Sequence, residues 1–169
     1  LFGGKGPELT VFLPADTRIA LEADLREGGM ELELGGLWLV AADLRFERGG
    51  VVIEVDEPMR EPMERLSFHG SMGGFATASL GNASPAVLEV DFSMGGMNLD
   101  LTGAWRRDAV ITVRSSMGGG AIHLPDDVSI EGLKDAPPAP PGSPEVPRPV
   151  LRFTDSSRLD DIEIRAPRR

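Results

Sequence analysis

Ser71-Met72-Gly73-Gly74-Phe75-Ala76-Thr77-Ala78 returns as Ser93-Met94-Gly95-Gly96-Met97-Asn98-Leu99-Asp100, and again as Ser116-Met117-Gly118-Gly119-Gly120-Ala121-Ile122-His123. A glycine pair followed by an alternating run reads as a sharp corner feeding a short β-strand. Working outward, the same device precedes Met30 to Leu34 at Gly28-Gly29 and Val51 to Val55 at Gly49-Gly50, so the pairs recur at intervals of 21, 24, 22 and 23 residues. A second register keeps the period. Leu13-Pro14-Ala15-Asp16-Thr17-Arg18-Ile19 matches Leu124-Pro125-Asp126-Asp127-Val128-Ser129-Ile130 at a distance of 111 residues, or five repeats of about 22. Projected backward, the cadence places a turn at Gly6-Pro7-Glu8 before Leu9 to Leu13. Projected forward, it reaches Asp160-Asp161 before Ile162 to Ile164.

Each repeat carries another extended run, seen in Leu37 to Phe46, Met63 to His69, Val87 to Phe92 and Arg107 to Arg114. Asp16 to Arg26 is the one segment with some helical character, and its counterpart Asp126 to Leu133 lacks the helical period. A unit this short cannot bury its own apolar face, but a stack of such units can. The expected fold is therefore all-β, a single-stranded parallel β-helix of about seven coils, with rungs about 4.8 Å apart. Met72, Met94 and Met117 are expected to stack inward as one ladder just before the corner. Between Pro137 and Pro149 seven of thirteen residues are proline, which predicts an extended strap with no ladder N–H groups. The division that follows is a β-helix body over residues 1–133, a strap over 134–149 and a final capping coil over 150–169. An antiparallel sandwich or barrel is the weaker alternative, because unrelated hairpins have no reason to share one turn spelling.

Composition narrows the function classes. The 169 residues are 41% apolar and 26% charged with no cysteine, which excludes disorder throughout, a disulfide framework and thiol chemistry. The longest apolar stretch, Leu37 to Ala42, is too short to span a bilayer as a helix. Because the chain begins at Leu1, it reads as an excised fragment whose preceding segment held a signal or anchor. Residues 1–133 carry 21 Asp and Glu against 10 Lys and Arg, a balance of −11, while residues 134–169 carry 6 against 7, a balance of +1. An acidic body disfavours nucleic acid and suits a basic protein partner through electrostatic steering.

Gly81-Asn82-Ala83, then Leu88-Glu89-Val90-Asp91-Phe92, Gly95-Gly96-Met97-Asn98-Leu99-Asp100-Leu101-Thr102-Gly103-Ala104-Trp105, Arg107-Asp108-Ala109-Val110-Ile111 and Gly119-Gly120-Ala121-Ile122-His123-Leu124-Pro125-Asp126-Asp127-Val128 together resemble the bacterial toast-rack domain. That domain occurs in cell-wall-active antibiotics response proteins and in relatives of phage-shock-type envelope-stress proteins. The resemblance covers about residues 80–133. It implies a single-stranded β-helix without catalytic residues, tethered to a membrane segment in the bacterial cell envelope and transmitting stress through protein contacts. The extracytoplasmic side is slightly favoured. Methionine before the corner and the proline-rich insertion depart from the family pattern.

No catalytic group, cofactor or metal site is expected. The methionine ladder offers soft thioether donors of the kind that select copper(I), but core packing is the preferred reading. A calcium site of the β-roll kind would need Asp at a fixed place in every turn, and here Asp is scattered. His69 and His123 fall at different phases of the repeat. Asp91 and Asp100, on successive extended runs, are the candidate carboxylate pair of a carbohydrate-active enzyme, against which stands the lack of long cleft-forming loops. For partner binding the candidates are Trp38, which alternates with Leu37 and Leu39, and Trp105 with Arg106 and Arg107 at a turn, where a Trp105 that caps the core and stacks on an Arg is the preferred reading. A self-assembling structural β-helix is the rival to a binding module.

Overall fold

The computed structural model describes residues 8–134, 148–154 and 162–166. Its strands are β1 (Ile19–Glu33), β2 (Leu39–Glu54), β3 (Arg65–Ala78), β4 (Val87–Asp100), β5 (Ala109–Met117), β6 (Gly120–His123), β7 (Ser129–Glu131), β8 (Val150–Thr154) and β9 (Ile162–Arg165), with a single 3-10 turn at Leu80–Ala83. All pairings among them are parallel. The architecture is thus a parallel β-solenoid, as the repeat predicts.

In β1 to β4 the two extended runs are one long strand bent at the glycine pair, whereas the bend at Gly118 divides β5 from β6; the pairs lie in register, Gly28 on Gly49, Gly49 on Gly73 and Gly73 on Gly95. The bend dictates the residue. Gly73 has φ +140°, and a Cβ there would stand 1.7 Å from the carbonyl oxygen of Gly49 below it. At Gly49, Gly73, Gly95 and Gly118 the corner therefore excludes side chains because the previous corner lies directly underneath. Inside the column, like residues form ladders such as Leu44, Phe68, Val90 and Val113. Their burial is complete or nearly so, and each such side chain stabilises by about 1.5–3 kcal/mol. Gly70 sits between Phe46 and Phe92 in its ladder, and the two rings close over it with centroids 6.0 Å apart.

Four expectations differ from the structure. The stack makes about five turns rather than seven. Leu9 to Leu13 does not add a rung, for residues 8–14 carry no strand and Leu9, Val11 and Phe12 are 87%, 66% and 90% exposed. A five-residue half-rung offers too little ladder to offset the ordering of the chain before Ile19. Next, β8 pairs β5 on one side and β7 on the other, so this half of the final coil lies beneath β7, whereas β9 pairs β6 alone and is the outer described strand of its face. The alternation of Val150-Leu151-Arg152-Phe153 explains the choice, since Leu151 lies beside Ala109 and Phe153 beside Ile111, and both become buried. Lastly, Met72, Met94 and Met117 do form one ladder, but it faces outward, at 46%, 40% and 60% exposure. The corner is the cause: Gly70 and Phe75 point inward while Ser71 and Met72 are both exposed, so the turn consumes a residue and shifts the phase. Residues 135–147 of the strap, and the segment 155–161, lie outside the described residues.

Candidate functional site

The connection between β2 and β3 brings several of the sequence candidates to one corner. Trp38, half-buried, donates its indole N–H to Glu61 Oε2 at 3.0 Å, and the Arg60 guanidinium lies 5.8 Å from the ring centroid. Arg106 reaches back to the same connection, donating to the Met59 carbonyl at 2.6 Å. Arg107 and Trp38 line a small cleft of about 260 Å³ with Arg18, Glu61, Pro62 and Glu64. Two carboxylates there face two guanidiniums, and Arg18 pairs with Glu64 at 3.6 Å. The charges balance, and the cleft falls below the size usual for small-molecule sites.

Trp105 does not join this corner. It is 8% exposed, donates its indole N–H to the Leu101 carbonyl at 2.8 Å and packs against Gly81. Trp105 is a wedge in the core rather than an exposed partner anchor, because the 3-10 turn folds over it.

A polar staple went unnoticed in the sequence. Asn82 donates through Nδ2 to the Val55 carbonyl at 2.7 Å and accepts from the Ala104 amide at 2.9 Å, linking the coils on either side of its own. Ser84 Oγ shares its one O–H between the carbonyls of Gly81 and Ala104 and accepts from the Arg106 amide at 3.0 Å. Both side chains are buried and satisfied, so their role is structural.

The carboxylate and imidazole candidates are dispersed. Asp91 and Asp100 occupy one strand, β4, on opposite sides of its corner. Asp91 lies between His69 and Arg114 in its ladder, and Asp100 beside His123. Asp100 Oδ1 accepts from the Thr102 amide at 2.9 Å. No group of three His, Cys, Asp or Glu able to hold a metal occurs among the described residues. Arg165 holds the Glu163 carboxyl below the usual range, by hydrogen bonding first and by its charge second. None of this assembles a nucleophile with a base.

Among the described residues the N-terminal end of the column is uncovered. β1 pairs with β2 alone among the described strands, leaving its other edge open. Ile19, Leu21, Ala23, Leu25, Met30 and Leu32 point at the core but are only partly buried, since no rung among the described residues lies over them. Outward, β1 carries Glu22, Asp24, Glu27, Glu31 and Glu33 against Arg26, a balance of −4 from five acids and one base. A second concavity, shallow and about 440 Å³, runs up the wall over Gly50, Gly74, Gly96 and Gly119 with Val52, Ala76 and Asn98.

No family model, curated protein or solved structure matches the chain. No helix among the described residues is long and apolar enough to cross a membrane.

Proposed function

We propose that this chain is a non-enzymatic binding module of the bacterial cell envelope, a rigid column that docks a protein partner. The observation that carries the reading is the state of β1: a fifteen-residue edge that no described strand pairs, an apolar row that no described rung covers and a surplus of acidic side chains. An open strand edge invites addition of another strand, and here the fitting occupant is an extended segment that alternates apolar with basic residues. Its apolar side chains would cover Leu21, Leu25 and Leu32, and its basic ones would meet Glu22, Asp24 and Glu31. The envelope location, the membrane tether and the link to stress signalling rest on the toast-rack resemblance of residues 80–133.

Self-assembly is the rival reading. Two β1 edges brought together would oppose acid to acid, which disfavours head-to-head pairing. The experiment is amide hydrogen exchange on the whole chain with and without a synthetic peptide of alternating Val and Lys, beside an alternating Val and Glu control. The expected result is added protection confined to β1, with the Lys peptide only, weakening as salt rises. Protection of β1 already complete in the free protein, binding indifferent to salt, or long assemblies in sedimentation at neutral pH would each overturn the reading.

A further inference from the structure

Six of the seven methionines fall into two populations, with the partly buried Met30 between them. Met59, Met63 and Met97 are core residues at 1%, 0% and 4% exposure, whereas Met72, Met94 and Met117 stand at 46%, 40% and 60%. Side chains this open add little to the core, so packing does not account for the same residue at the same place on three consecutive rungs. Nor does the corner demand it, because the two preceding rungs place Arg48 and Glu27 in that ladder position. The row changes from charged side chains to thioethers and stays so for every following rung that is described.

Register sets the donor geometry. Successive rungs lie about 4.8 Å apart, so the backbones of the outer two methionines are about 10 Å apart with Met94 midway. An unbranched side chain with three rotatable bonds can lean along the axis far enough for three sulfurs to meet at one point over the middle rung. The thioether is neutral, soft and never protonated in the physiological range. Such a donor set selects soft monovalent cations over the divalent ions that prefer imidazole and carboxylate.

We propose that Met72, Met94 and Met117 form a surface site for a soft monovalent cation, copper(I), for which silver(I) is a redox-stable probe. The site is independent of the docking edge at β1, and its failure would leave that reading untouched. The same row is also an apolar stripe, and a leucine separates the two roles: it keeps bulk and apolarity but removes the donor.

The test is titration of the whole chain with silver nitrate in chloride-free buffer, followed through the methionine methyl resonances, with copper(I) measured in competition with a chromogenic chelator. One equivalent should saturate the site, with shifts confined to Met72, Met94 and Met117 while Met30, Met59, Met63 and Met97 stay in place. Met94→Leu should weaken both metals by about tenfold or more. The triple leucine variant should show no saturable binding, with the thermal midpoint of the metal-free protein unchanged. Met117→Leu at the end of the row repeats the comparison should Met94→Leu not fold. Absence of saturable binding, equal shifts at Met30, or leucine variants that bind as the parent does would overturn the proposal.

Discussion

At the N-terminal end of the column β1 alternates as regularly as any interior strand, and none of its fifteen residues is fully buried. At the other end β8 has five residues, yet Leu151 and Phe153 are 0% and 5% exposed because β5 lies on one side and β7 on the other. Alternation decides which face a side chain takes. Burial is decided by the rungs above and below it, and a solenoid shows this cleanly because each rung touches only its neighbours.

The corner glycines offer the largest way to break that contrast. Gly28 and Gly73 share a left-handed backbone, at φ +128° and +140°, but a Cβ at Gly28 meets nothing within 4 Å whereas one at Gly73 strikes Gly49. Gly73→Ala should therefore cost more than about 4 kcal/mol or prevent folding. Gly28→Ala should cost only the backbone strain, about 1–2 kcal/mol in urea unfolding. Equal losses would mean that something covers β1 in solution. The core side chains give a smaller difference. Phe153→Ala should cost about 3–5 kcal/mol, while Leu21→Ala, already half in water, should cost about 1 kcal/mol.

The smallest effect is electrostatic and belongs to the C-terminal end alone. A Glu163 carboxyl lowered by Arg165 favours the folded state above the carboxyl's unfolded value, and the contribution disappears as pH falls through the lowered value. The pair lies on the surface, so stability should barely register it. A carbon-detected titration of Glu163 should show the lowered midpoint, and Arg165→Ala should return it to the usual carboxylate range.

Most of the fold was legible because its corners have a chemical requirement that repeats: only glycine fits at Gly49, Gly73, Gly95 and Gly118, so the period is written in the chain. Strand β9 falls where the period projected, at Ile162. What the period could not reveal was adjacency out of order, since nothing in Val150 to Thr154 says that it will enter between β5 and β7. The outward methionines were misread because parity counted along a strand does not survive the bend at Gly73. Trp38 and Arg107 were found as separate residues, and their meeting depends on Arg18 and Glu64 arriving from elsewhere in the chain. Asn82 had a signal, a lone amide beside glycine in a turn, but its two carbonyl and amide partners lie 27 residues before it and 22 after it.

The insertion of β8 has a temporal side. A solenoid synthesised from its N-terminus can zip each coil onto the last as it leaves the ribosome, since every new rung finds its partner already made. Here Ser129 to Glu131 emerge about one coil ahead of β8, the one described strand they pair with. The nascent chain must leave that place vacant until Val150 to Thr154 arrive, so this step of assembly runs against the direction of synthesis, closing a loop rather than extending a row.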